Sequence, residues 1–470
     1  MTVTYVDVAR HRRAGEPLAP LRDRARASLG DEDLQGALRV MAGRFNVGRR
    51  VAMSDPAVAG LRDKGIAIRS EGVARLRENL SRLEKSLTNL GVHVHHAADG
   101  AAAVRVISDL ARARGVKKVV KSKSMATEEI DLNAHLEDIG IEVVETDLGE
   151  YIVQKAHERP SHIIAPAVHK SRVQVTTLFS ELAGHPLPDR REDLCAFAQE
   201  RLRDDFLTAD MGISGVNFAC ADTGTLVLVT NEGNGRMTTS LPPIHVAVMP
   251  IEKVLPRFSD LGVMVPLLVR NATGQKLSSY VSFLNGPRRE GEVDGPEEMH
   301  VVILDNGRTG LLGTPFEPML RCIRCAACLN VCPVYGTIGG HAYGGTYSGP
   351  MGAVLAPLLH GGEEFDDLPE ATSLCGACSS VCPVGIPLHE LLITLRQRAR
   401  TSRGKRWFFG LWSRAWSRPS LYRASARLAR YGRPLARLTP PGRRWAEGRT
   451  LPEPARQTFH AWWAKTRTAP

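Results

Sequence analysis

The sequence predicts an α/β domain with a mostly parallel sheet, then a helical, cysteine-bearing domain, then a basic, tryptophan-rich C-terminal segment. Three observations carry this. Short apolar strands alternate with helices over 91–265. Seven of nine cysteines fall between 322 and 382. Residues 401–470 hold all six tryptophans and 16 Lys and Arg against Glu447 and Glu453. A strand–helix–strand rhythm implies a parallel sheet, with functional residues beyond the carboxyl ends of its strands.

The elements follow in order. "DEDLQGALRVMAGRFNVGRRVAM" and "ARLRENLSRLEKSLTNLG" have apolar residues at helical spacing, so residues 1–70 and the stretch after them read as packing helices. "GVHVHHA" reads as a strand, "DGAAAVRVISDLARARG" as a helix, "VKKVVKS" as a strand and "MATEEIDLNAHLEDIG" as one helix. "IEVVETD", "HIIAPA", "GTLVLVTN" and "IHVAVMP" read as further strands. Ser124 to Thr127 can cap the helix after the second strand, with Glu128 and Glu129 in its first turn. From about 300 the chain turns loop-rich, until a helix begins at Pro387. The expected divisions are a helical segment at 1–70, the α/β domain at 71–300, the cysteine domain at 301–400 and the basic segment at 401–470.

Polar residues gather at the predicted strand ends. Lys123, Ser124, Glu128, Asp147, Glu150, His169, Asn217, Thr223, Glu232, Asn234 and Arg236 are the candidates for a ligand pocket. Helix caps and tight turns explain the same residues without a ligand, and no catalytic residue is assigned. The chain shows no GxGxxG opening a helix after a strand, no Walker A run, no HExxH and no GxSxG. No flavin or NAD site is therefore expected in this chain.

"CIRCAACLNVCP" places Cys322, Cys325, Cys328 and Cys332 at i, i+3, i+6 and i+10, with Pro333 after them. Thiolate suits iron–sulfur clusters and zinc, but this spacing is that of bacterial ferredoxin-type clusters rather than two separated CxxC pairs. "CGACSSVCP" supplies Cys375, Cys378 and Cys382. In two-cluster ferredoxins the last cysteine of each run ligates the other cluster. That rule gives Cys322, Cys325, Cys328 and Cys382 to cluster one, and Cys332, Cys375 and Cys378 to cluster two. Thr372 stands where an eighth cysteine would be. Cluster two is then a three-iron cluster, or a four-iron cluster with an open iron or a non-cysteine ligand. Cys195 and Cys220 read as buried small apolar residues.

The chain carries a formal charge of +11, of which the last 70 residues contribute +14. Their mix of Arg with Trp407, Trp412, Trp416, Trp445, Trp462 and Trp463 fits docking to a subunit or to the rest of this chain best, then an anionic membrane surface, then nucleic acid. The N-terminus has no signal-peptide pattern and no run nears the roughly 20 apolar residues of a membrane span, so the expectation is a cytoplasmic protein.

Long, ordered stretches carry a resemblance. "KSKSMATEEIDLNAHLEDIGIEVVETDLGEYIVQ", "PSHIIAPAVHK", "GVNFACADTGTLVLVTNEGNGRM" and the two cysteine runs resemble the iron–sulfur subunit of the bacterial lactate-utilisation system. The resemblance implies a LUD domain with a fold similar to CoA-transferase and ribose-5-phosphate isomerase proteins, and two four-iron clusters. It also implies two sister subunits, a cysteine-rich heterodisulfide-reductase-like protein and a second LUD protein, in a complex that oxidises L-lactate to pyruvate. The expected role is electron transfer without catalysis in this chain. The alternatives are a LUD domain that is itself a catalytic or ligand site served by the clusters, and a redox-sensing regulator.

Overall fold

The computed structural model describes residues 3–11, 16–361, 364–398, 403–436, 438–439, 442–443, 450, 453, 455 and 457–467. The described residues up to Gln397 form one compact unit, and those from Arg398 form a second.

The first unit is built on ten strands: β1 His93–Ala97, β2 Lys118–Lys121, β3 Glu142–Glu145, β4 Met211–Gly215, β5 Phe218–Cys220, β6 Leu226–Thr230, β7 Ile244–Pro250, β8 Val254–Leu255, β9 Tyr280–Leu284 and β10 Glu298–Leu304. Six of them make one parallel sheet in the order β1-β10-β7-β4-β2-β3. The other four form a smaller mixed sheet in the order β8-β5-β6-β9.

Alternation along the strands sorts side chains into separate cores. Val119, Val246, Val248, Val302 and Leu304 face one side, where the helices Gly100–Ala113 and Leu132–Asp138 supply Ile107, Ala111 and Leu136. Val120 and Val144 face the other side, against Tyr151, Phe179, Leu202 and Phe206. Ala247, Met249, Val301 and Ile303 share that second direction nearer the sheet's far edge. There they join the small sheet and the cysteine-bearing segment in one continuous core. Strands buried on both faces read as continuous apolar runs, as "IHVAVMP" does.

Two sequence expectations are corrected. "HIIAPA" is not a strand. It is an irregular segment between Pro160 and Pro166, and the buried His162 ring accepts the amide hydrogens of Ile164 and Ala165 at 3.1 Å each. Proline and a side chain that takes the backbone donors remove the ladder a strand needs. "MATEEIDLNAHLEDIG" is two helices, Met125–Glu129 and Leu132–Asp138, because Asp131 adopts a left-handed conformation at φ 48°. Cys220 is buried as expected, whereas Cys195 is exposed. It lies on the helix Arg191–Thr208, whose buried residues are Leu194, Ala198, Leu202 and Phe206. Those positions repeat every four residues, so the next residue after Leu194 falls off the inward face.

The second unit contains the helices Arg403–Trp416, Pro419–Ala436 and Phe459–Thr466. Trp407, Phe408, Phe409, Trp412 and Trp416 are exposed on the first of these. The Trp412 and Trp416 rings are tilted by 32° with centroids 4.7 Å apart. Trp445 lies outside the described residues. No helix among the described residues is long and apolar enough to cross a membrane.

Candidate metal centre and adjoining cavity

Two short loops present the cysteines. In the first, Arg324 and Ala326 flank Cys325, both left-handed at φ 60° and 61°. In the second, Leu374 and Gly376 flank Cys375, left-handed at φ 56° and 76°. Left-handed residues are costly unless glycine, so the same pair on either side of one cysteine is a built feature. The pattern aligns Cys325 with Cys375, Cys328 with Cys378, Cys332 with Cys382, and Cys322 with Thr372. A short helix follows each loop, Ala327–Asn330 and Ala377–Val381, and the two pack on each other.

That packing crosses the two runs. Cys322, Cys325, Cys328 and Cys382 line one small cavity with Ile323, Met351 and Ile386. Cys332 lies instead within electrostatic reach of Cys375 and Cys378. The Cys382 sulfur accepts the Ile386 amide at 3.3 Å, and the Cys332 sulfur accepts the Tyr335 amide at 3.5 Å. Burial pushes the Cys382 thiol up to about 11 and raises Cys325 and Cys328 further. Exposed Cys375 goes the other way, lowered by the Ala377 amide and the Ser373 hydroxyl. Several buried thiols converging without forming a disulfide suit a cationic iron–sulfur core, which takes thiolates as ligands.

Cations surround the first group. Arg69, Lys253 and Arg324 all act on Cys322, and Arg62 Nε donates to the Cys382 carbonyl at 3.0 Å. Glu252 gathers them. Its carboxylate lies 2.8 Å from Arg324 Nη2 and 2.8 Å from Arg308 Nε. Arg308 also forks onto Glu129 at 2.6 and 2.8 Å, and Tyr347 donates to Glu129 at 2.6 Å while its ring lies under the Arg324 guanidinium. Burial alone would raise Glu252, but Arg308 and Arg324 hold it down to about 2. Burial, then Arg324, brings Lys253 down to about 8.

Beside this network lies a cavity of about 360 Å³. It opens beyond the carboxyl ends of the parallel strands, where such sheets bind ligands. Lys123, Ser124, Asp147, Asn217, Glu232 and Asn234 line it, so six of the eleven candidates meet there. Gly215 keeps the space open, because a Cβ there would come within 2.7 Å of Ser124 Oγ. Lys123 Nζ donates to the Ile164 carbonyl at 2.9 Å, and Asp147 caps the next helix through the Gly149 and Glu150 amides. Burial and the Asp147 carboxylate raise Glu232.

Glu128 and Glu150 belong to a different cavity, with Glu145. There the buried Lys121 Nζ lies 2.7 Å from Glu145 and 3.0 Å from Glu128. Burial opposes the Lys121 charge, but the carboxylates outweigh it and raise its pKa. Burial, then Glu128 and Glu145, pushes Glu150 well up. His169 is buried between Ser161 and Glu158, Thr223 sits in a turn against Thr225, and exposed Arg236 lies over the Tyr280 ring. Sequence reading missed Lys253, Arg324, Glu252, Arg308 and Tyr347. Lys253 was within reach of the strand-end rule, three residues past β7, and Arg324 lies inside the first cysteine run.

Three family profiles match consecutive parts of the chain: the LUD domain at 80–304, a 4Fe-4S dicluster domain at 318–386, and the C-terminal domain of lactate utilisation protein B at 389–468. Among similar proteins, Lactate utilization protein B of Shouchella clausii (strain KSM-K16) is 48% identical over 384 residues, covering 79% of this chain and 81% of the relative. That of Geobacillus kaustophilus (strain HTA426) is 49% identical over 385 residues, with the same 79% and 81%. This chain belongs to the lactate utilization protein B family. Among solved structures, a DUF162 family protein from Deinococcus radiodurans aligns over 49% of this chain and 98% of its own, at 15% identity and a TM-score of 0.27. The dicluster profile of the family spans both cysteine loops, and the chain carries the iron–sulfur motif within it.

Proposed function

We propose that this chain is the iron–sulfur electron-transfer subunit of an assembly that oxidises L-lactate to pyruvate. The observation that carries the reading is the paired left-handed loop around Cys325 and Cys375, with the runs crossed so that Cys382 joins the first group. In this reading Cys322, Cys325, Cys328 and Cys382 hold one four-iron cluster. Cys332, Cys375 and Cys378 hold a second, of three irons or of four with a non-cysteine ligand. Such clusters supply one-electron transfer. The chain's own part is to hold them near one another, to surround one with cations, and to leave Cys375 at the surface.

Hydride or electron-pair removal from lactate falls to a partner in this reading. The partners are two sister subunits, a cysteine-rich heterodisulfide-reductase-like protein and a second LUD protein, and the exposed aromatic helix Arg403–Trp416 is a docking face for one of them. The LUD domain is similar in fold to CoA-transferase and ribose-5-phosphate isomerase proteins. Anaerobic reconstitution is expected to give about seven to eight irons per chain. An oxidised three-iron signal in EPR would identify the second cluster. The purified chain should not turn over lactate with an artificial acceptor; turnover would overthrow the carrier role.

A further inference from the structure

We infer that the second cavity, the one lined by Glu128 and Glu150, binds one hard divalent cation of the magnesium or manganese class through oxygens of Glu128, Glu145, Glu150 and Asn133. This site is separate from both cysteine groups and does not depend on the electron-transfer reading.

The parallel sheet brings the donors together. Glu145 ends β3, Glu128 lies on the helix Met125–Glu129 that follows β2, and Glu150 lies on the helix Leu148–Lys155 that follows β3. Asn133 comes from the helix Leu132–Asp138. One oxygen from each of the three carboxylates lies within 4.8 Å of the other two. All four residues line the cavity, whose volume of about 410 Å³ leaves room for the waters that such a cation keeps.

Three oxygens in this cluster are left over. Glu145 and Glu150 are each only 2% exposed. Glu145 spends Oε1 on Lys121 Nζ and on Asn133 Nδ2, both at 2.7 Å, while its Oε2 is buried with no hydrogen-bond partner among the described residues. Glu150 Oε1 and Asn133 Oδ1 are also buried and unpartnered there. Buried acceptors without donors are rare and costly, and an ion is one of the things that satisfies them. A cation satisfies all three at once. Carboxylate and amide oxygens, with no sulfur or ring nitrogen among them, select magnesium, manganese or calcium.

The charges agree. Glu128, Glu145 and Glu150 bring three negative charges and Lys121 one positive, which leaves two, the charge of one divalent cation. The rest of the lining does not supply them. Asp131, Glu137 and Glu158 are acidic, against Lys155 and the rings of His11 and His157. Glu158 is itself engaged by His169 and Lys170.

The test uses the full chain with its clusters loaded, freed of loosely held metal and titrated with Mn²⁺. Room-temperature EPR of the free aquo ion reads what remains unbound. One Mn²⁺ per chain should bind saturably and be displaced by excess Mg²⁺. Glu150→Gln should weaken it by roughly tenfold to a hundredfold, the loss of one charge-assisted contact, at unchanged cluster content. Glu137→Gln, an exposed carboxylate on the same cavity, should change it by less than about twofold. No saturable binding overturns the inference, since a proton would then be what neutralises the cluster. Equal losses in the two variants also overturn it, because they describe a diffuse acidic surface. If Glu150→Gln does not fold, Asn133→Asp decides: an added charged ligand should tighten Mn²⁺ binding, a gain that damage cannot produce, and unchanged or weaker binding refutes the site. Failure of the clusters to load would sink the electron-transfer reading and leave this one standing.

Discussion

The two cysteine groups share one loop geometry and differ in almost everything around it. Both centre on a cysteine between two left-handed residues. Around the first lie Arg62, Arg69, Lys253 and Arg324, held in part by Glu252. Around the second the main electrostatic neighbours are its own cysteines, and Cys375 is exposed. Neighbouring cations favour the reduced and more negative form of a cluster. Local backbone thus makes the two sites alike, and tertiary packing makes them electrically unequal.

The largest break in this comparison comes from the cysteines themselves. Cys382→Ser should remove the first cluster and Cys378→Ser the second, each costing about half of the iron. Absorbance and EPR of the two variants should sum to the spectrum of the unaltered protein. If Cys382→Ser damaged the second signal instead, the crossed assignment would be wrong.

Glu252→Gln comes next. It leaves Arg308, Arg324 and Lys253 facing each other, and removing one partner of such a buried network costs about 3–5 kcal/mol. Urea unfolding measures it. The pH dependence has a definite sign. The Glu252 carboxyl falls from 4.5 to about 2 on folding. Its contribution, about 3 kcal/mol, is present above pH 4.5 and is lost as pH falls toward 2. The glutamine variant should lack that part of the acid transition.

A smaller change sharpens the second site. Thr372→Cys supplies a thiolate at the position aligned with Cys322, and should convert a three-iron signal to a four-iron one with a gain of about one iron. The smallest effect is on potential. Lys253→Met should lower the first cluster by on the order of tens of millivolts and leave the second in place, read by redox titration. Equal shifts at both would erase the electrical difference between the sites.

Much of the fold was legible because it is local. Period-two and period-3.6 patterns located β1, β2, β3, β6 and β7 and most helices. β10 was missed although it is an apolar run in the middle of the parallel sheet, because it follows the polar turn at 286–297 and no helix introduces it. "HIIAPA" looked like a strand because apolar composition does not reveal where its amide hydrogens go; His162 takes two of them. Six of eleven pocket candidates converged because the strand-end rule is a property of parallel sheets. Glu128 and Glu150 diverged from them because the helix after β2 divides two cavities, with Ser124 on one side and Glu128 on the other.

The sequence by itself determined the donors and their register: seven cysteines, their spacing, and Thr372 where an eighth is absent. Those are properties of a few consecutive residues, which backbone geometry translates directly into a loop. Only the tertiary structure decided the electrostatics. Arg69, Glu252, Lys253, Arg308 and Arg324 are scattered over 256 positions and ordinary in their local context. Burial brings them within a few ångströms of one another, and in a low-dielectric interior that proximity sets charge, affinity and potential.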